Sequence, residues 1–169
     1  MEGMNVAPGA EELITWFGSW PSFHDAEVLS IELRRSGSSS LSVHAWEMTG
    51  DIDPQGFYVL RKHVVVIFSF EGISDLQLAD FSSQNVISGL KLQQLDDGYE
   101  LSIFPCYGVS GYIRAKQVRI SFEPGKPAKG LGARMLLELM SFPLSTLTIP
   151  ISKPLSCYTS PNDFFLHRF

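Results

Sequence analysis

The strongest constraint on the fold is a series of short segments in which apolar residues recur at every second position. Residues 29–33 show this alternation, and residues 41–45 repeat it after a turn-forming stretch of Ser and Gly at 35–40. A period of two is the repeat of a β-strand with one buried face. Because a short turn joins the two segments, they predict an antiparallel hairpin.

Further strand-like segments follow, separated by Gly, Pro, Asp and Ser. They lie at 57–72, 75–81, 86–95, 99–103 and 117–122. The β-branched run that starts at Val64 is typical of a central strand, and Asp97-Gly98 is a signal for a two-residue hairpin turn. The connections are too short for parallel crossovers. The sequence therefore predicts a mainly β fold, a single strongly bent antiparallel sheet of about seven strands.

Two helices are predicted outside these strands. Residues 10–18 carry apolar residues at helical spacing, two acids in the first turn and a final Gly, as an amphipathic helix does. Residues 131–142 are apolar nearly all round, which is typical of a buried helix. We expect both helices to pack on the sheet. The body then covers 1–123, and a Pro-rich extension at 124–169 belongs to the same domain.

The composition indicates a folded protein without a membrane segment. Apolar residues make up 44% of the 169 positions and charged residues 18%, which is typical of a globular domain. No apolar run approaches the roughly 20 residues that a membrane helix needs. Cys106 and Cys157 form no CxxC pair, and two reduced thiols in a cytoplasmic protein are the expectation.

The charge is unevenly distributed along the chain. Residues 1–123 carry 16 acidic and 8 basic side chains, a net of −8, whereas residues 124–169 carry 2 acidic and 5 basic, a net of +3. Nucleic-acid binding needs clustered Lys and Arg, so the acidic body argues against it. Complementary charge favours a basic protein partner instead.

No complete catalytic or metal-binding set is visible. The four histidines lack the short spacing of metal ligands, and there is no GxSxG nucleophile motif. No cofactor is predicted. The alternative that stays open is a small hydrolytic or metal-dependent enzyme that uses His24, Asp25, His44 or His63.

The stretch WPSFHDAEV at 20–28 is the most distinctive local motif. Pro21 fixes the backbone, Trp20 and Phe23 offer apolar anchors, and Asp25 can accept hydrogen bonds from backbone N–H groups. With His24, these residues predict a structural corner between the first helix and the first strand, in preference to half of an active site.

This motif and the later strands resemble the Immunity protein 50 family of bacterial polymorphic toxin systems. The resemblance is carried by WPSFHDAEV at 20–28, VISGLKL at 86–92, YELSIF at 99–104 and VRISF at 118–122. It covers about residues 10–123. It implies a small, mainly β protein without catalytic residues, which binds and neutralises a cognate toxin in the cytoplasm.

Contact residues for such a toxin are predicted from exposure, loop position and charge. They are Trp46, Asp51, Asp53, Asp96 and Asp97. Trp belongs to the residues over-represented in binding hot spots, and the alternative for Trp46 is burial under a second layer. A homo-oligomer, such as a dimer formed through the apolar segment at 135–142, is a further alternative.

Overall fold

A computed structural model describes residues 7–127, which form one helix and six strands. The elements are α1 (Ala10–Phe17), β1 (Ala26–Glu32), β2 (Ser39–Ile52), β3 (Tyr58–Ala79), β4 (Val86–Leu95), β5 (Gly98–Tyr107) and β6 (Ser110–Pro124). Every strand pairing is antiparallel. The predicted mainly β class and the N-terminal helix are confirmed.

The structure has six strands where the sequence predicts about seven, because two segments predicted as separate strands form one continuous strand. Residues 57–72 and 75–81 both fall in β3, which runs for 22 residues. A bulge between Ile73 and Asp75 shifts the register against β6 without ending the ladder. A bulge bends a strand and raises its local twist, so the break in the alternation marks a bend rather than a turn.

The sheet closes on itself as a barrel in the order β1-β2-β3-β6-β5-β4. The closing contact joins β1 to β4 through two residue pairs, Ala26 with Ile87 and Glu27 with Val86. β3 lies between β2 and β6, as the β-branched run predicts. Closure removes the open edges of a bent sheet.

The core fills the inside of this barrel. In β2 and β3 every second residue is buried, from Leu41 to Ala45 and from Val64 to Phe70. The largest fully buried side chains are Phe68 and Phe70. Burial of a side chain of this size contributes about 1.5–3 kcal/mol, so the period-two pattern is the main source of stability.

α1 covers the half of β6 that β5 does not reach. β5 pairs with β6 only up to Ala115. Beyond it, the Ile120 N–H donates to the Pro8 carbonyl at 2.8 Å, and the ring centroids of Trp16 and Phe122 lie 5.8 Å apart. The helix therefore compensates for the short β5 strand.

Cys106 corrects one expectation, since it is disulfide-bonded and not a reduced thiol. The predicted helix at 131–142, the segment at 135–142, His167 and most of the extension lie outside the described residues. The barrel lies in the first of two units of the chain, Met1–Pro127. No helix among residues 7–127 is long and apolar enough to span a membrane.

Candidate functional site

The corner at 20–25 joins α1 to β1 and is anchored in the core. Phe23 is only 3% exposed. Its ring centroid lies 6.0 Å from that of Phe68 and 5.7 Å from that of Trp20, in an edge-on arrangement. Pro21 is also buried. These contacts support the proposal that the corner is structural.

The side chains of His24 and Asp25 contact each other at the end of this corner. The His24 Nδ1 and Asp25 Oδ2 atoms are 3.0 Å apart, and the two side chains are 52% and 14% exposed. Adjacent side chains diverge on an extended backbone, but Phe23 and Asp25 have φ values of 54° and 61°. The local turn thus lets both side chains meet.

His44, Trp46 and His63 form a second cluster, on the outer side of β2 and β3. The His44 Nε2 and His63 Nδ1 atoms lie 3.1 Å apart, so one ring donates and the other accepts a hydrogen bond. The Trp46 ring centroid lies 4.9 Å from that of His44 and 6.0 Å from that of His63. All three side chains are half-buried. The sequence named these residues separately, but only the β2–β3 register brings them together.

Both rings of this cluster favour the neutral form. Burial lowers the pKa of His44 to about 4, with smaller contributions from the neighbouring His63 and Lys126. Burial and Lys126 also lower the pKa of His63. At neutral pH the cluster is therefore an uncharged aromatic surface.

We expect acid to destabilise the protein through His44. Between pH 6.5 and about 4 the unfolded chain binds a proton at this position that the folded chain does not, so folded-state stability falls as the pH falls through this window. Thermal denaturation at pH 7.5, 6 and 5 measures the effect. His44→Asn should show a smaller drop in Tm than the wild type. Ser42→Ala, at the preceding outward position of β2, should keep the wild-type slope, and equal slopes for all three proteins would contradict the assignment.

The distal halves of the β2–β3 hairpin, residues 46–62, form a two-stranded ribbon that we call the arm. The pairing of β1 with β2 stops at His44, and the pairing of β6 with β3 starts at Val64. Among residues 7–127 the strands of the arm therefore form ladder pairs only with each other. Two-stranded ribbons are marginally stable without further packing, so the arm is suited to an interface.

One face of the arm is apolar and exposed. Met48 opposes Leu60, and Ile52 opposes Tyr58. Opposed residues share a face, as do residues two positions apart on one strand, so all four share the face of Trp46. They are between 36% and 64% exposed, as is Phe57 at the tip. The sequence analysis predicted no strand between residues 45 and 57 and therefore missed this face. The apolar residues that flank the DPQG turn were the available signal.

The acids predicted as toxin contacts on the arm are already engaged. Asp51 Oδ2 accepts a hydrogen bond from Arg61 at 3.0 Å. Asp53 Oδ1 accepts from the backbone N–H groups of Gln55 and Phe57 at 3.0 and 2.9 Å, and so holds the turn. Neither carboxylate is positioned as an unpaired charge for a basic partner.

Asp96 and Asp97 lie on a different hairpin, in the exposed turn between β4 and β5. Asp97 lines a cavity of about 160 Å³ together with Asp75, Tyr99 and Arg114. Arg114 donates a hydrogen bond to Glu100 at 2.7 Å and lies 3.7 Å from Asp75. Its guanidinium lowers the pKa of Glu100 and neutralises part of the negative charge of Glu100 and Asp75.

The His and Asp side chains considered for an enzyme site meet in two pairs among residues 7–127. Within residues 7–127 no group of three or more His, Cys, Asp or Glu side chains is arranged to hold a metal ion. The structure pairs His24 with Asp25, and His44 with His63. Each pair offers a proton donor and a proton acceptor.

Comparison with known proteins gives one match. The family model described as Immunity protein 50 matches residues 9–123, which cover α1 and nearly all of the barrel. No curated protein and no solved structure matches the chain.

Proposed function

The chain belongs to the Immunity protein 50 family, and on this premise we propose that it is an immunity protein that binds a cognate bacterial toxin and neutralises it without catalysing a reaction. The family match spans nearly all of the barrel and supports a role in binding. We propose that the protein acts in the cytoplasm of the cell that encodes the toxin.

The arm is the observation that best supports a binding function. It carries exposed apolar side chains beyond the closed part of the barrel. Exposed apolar groups that lie together on a protein surface mark interaction sites more often than isolated ones do. A standard interface buries about 800 Å² on each partner, and a domain of this size has room for one.

We propose that the toxin contacts the barrel around Trp46. A Trp flanked by other rings is the type of anchor found at the centre of binding hot spots. Asp51 and Asp53 shape the neighbouring turn, while Asp96 and Asp97 form a separate acidic rim on the β4–β5 turn. In this proposal Asp51 and Asp53 act through the arm's conformation rather than as charges that meet the toxin.

Co-expression tests this function. The toxin domain encoded next to the gene should arrest growth of a bacterial host when expressed alone, and the full-length protein should restore growth. The purified pair should elute as one complex in size-exclusion chromatography with light scattering. Absence of both rescue and complex formation would overturn the proposal.

Trp46→Ala should weaken toxin binding by about 30-fold or more, because a hot-spot residue contributes about 2 kcal/mol or more. Isothermal titration calorimetry measures the change. Trp16→Ala is the control, since Trp16 is also partly exposed and its ring packs on Phe122 of β6, outside the arm. Equal weakening by both variants would contradict a specific role for Trp46.

A further inference from the structure

We infer that the outward face of the arm is the toxin-docking surface and that it binds an uncharged, apolar surface of the toxin, in contrast to a basic one. This inference rests on the proposed function and adds the chemistry of the partner. It depends on the separation of apolar and charged side chains between the two faces of the arm.

The outward face is continuous from the barrel to the tip. His44, Trp46 and Met48 follow one another at every second position of β2, which places them on one side of the strand. Leu60 and Tyr58 continue this side on β3. Ile52, which opposes Tyr58, extends it to the turn, with 64% of the residue exposed. The face thus joins a ring cluster at its base to exposed apolar side chains at its end.

Most charged residues of the arm form ion pairs with one another, and Glu47, Asp51 and Arg61 lie on the other face. Glu47 opposes Arg61 in the ladder, one position out of phase with Met48 and Leu60. Arg61 pairs with Asp51 at 3.0 Å, and Lys62 pairs with Glu47 at 3.3 Å. The Lys62 ammonium also donates to the Phe17 carbonyl at 3.1 Å. These two acids and two bases therefore cancel, and Asp53, which the backbone of the turn hydrogen-bonds, is the one further charge of the arm.

The chemistry of the outward face selects the kind of partner. Charged groups that lose water without gaining a partner are costly to bury, so an uncharged face fits an uncharged surface best. A second copy of the chain fits less well, because residues 1–123 carry a net charge of −8 and two such bodies repel. Because the chain belongs to a family of immunity proteins, we assign this face to the toxin.

The test uses the full-length protein, the cognate toxin and a matched pair of double variants. Met48→Thr with Ile52→Thr removes two exposed apolar groups from the arm and keeps β-branched side chains in the strand. Leu33→Thr with Phe104→Thr is the control, because these residues are also about half exposed, at 52% and 49%, and lie outside the arm. Thermal melts establish that both double variants remain folded.

The arm variant should weaken toxin binding by about 30-fold or more, and the control should stay within about threefold of the wild type. Because contacts between uncharged groups are little affected by ionic screening, the wild-type Kd should change by less than about threefold between 50 and 500 mM NaCl. A tenfold loss of affinity over this range would overturn the inference, as would wild-type affinity in the arm variant.

Two further outcomes separate the inference from the function on which it rests. If the wild-type protein does not bind the toxin at all, the proposed function fails and the inference fails with it. If the wild type binds and the arm variant binds equally well, only the inference fails. Light scattering of the free protein tests for self-association. If the wild type is a dimer and the arm variant is a monomer, the face binds a second copy of the chain, and the inference is overturned.

Discussion

Replacement of Asn85 by Ala is expected to lower the free energy of unfolding by about 3 kcal/mol or more. Asn85 is 3% exposed, and its side chain joins two loops. The Oδ1 atom accepts hydrogen bonds from the N–H groups of Ser82 and Val109 at 2.9 and 3.1 Å. The Nδ2 group donates to the Ser82 carbonyl at 2.8 Å. An unpaired buried group costs about 1–3 kcal/mol, and Ala removes the partner of the buried Val109 N–H and of the partly buried Ser82 N–H and carbonyl groups.

The position of Asn85 makes this effect a global one. Its carbonyl accepts a hydrogen bond from the Val28 N–H at 2.8 Å, beside the short β1–β4 contact that closes the barrel. Urea denaturation of the wild type and the variant measures the loss of stability. Gln84→Ala is the matched control, because Gln84 is exposed and uses only backbone groups with Ser82. A loss below about 1 kcal/mol for Asn85→Ala would show that the loops are held by other contacts.

Gly9→Ala is expected to destabilise the protein by about 3 kcal/mol or more. Gly9 has a φ of 91°, a conformation that costs an L-residue about 1–2 kcal/mol. A Cβ at this position would also overlap the carbonyl oxygen of Ile120, and overpacking of this kind costs about 1–3 kcal/mol. The backbone of β6 would have to move away from the N-terminal segment.

Gly18 provides a matched control for Gly9 at the other end of α1. It has the same φ of 91°, and a Cβ at Gly18 meets nothing within 4 Å. Gly18→Ala should therefore cost about 1 kcal/mol, the conformational part alone. Denaturant titration of both variants separates the two costs. Equal losses would show that the contact with Ile120 relaxes without a penalty.

The hairpins and the first helix followed from the sequence because their signals are local. Alternation at 41–45 marks β2. The Asp97-Gly98 signal predicts the hairpin between β4 and β5, but the turn lies one residue earlier, at 96–97, and Gly98 begins β5. Gly18 ends α1 with a hydrogen bond from its N–H to the Ile14 carbonyl at 2.7 Å. Each of these signals depends on neighbours within a few residues.

The barrel and the candidate docking face depended on register, which no local pattern reveals. Two segments that the sequence predicts as separate strands form the single strand β3, with a bulge between Ile73 and Asp75. The shift between Ala45 and Glu47 decides which arm residues share the face of Trp46, because a change of one residue moves a side chain to the opposite face. The acids at 51 and 53 looked available in the sequence, and only the folded arm shows that both are engaged.

The sequence by itself determined the strand-forming segments, the first helix, the acidic body and, through its motifs, the family. These properties depend on residue type and on spacing along the chain. Only the tertiary structure decided that the sheet closes through β1 and β4, that Asn85 joins its loops, and that His44, Trp46 and His63 meet. The physical reason is that these contacts join residues distant in sequence, and their geometry is fixed by packing and register across the whole barrel.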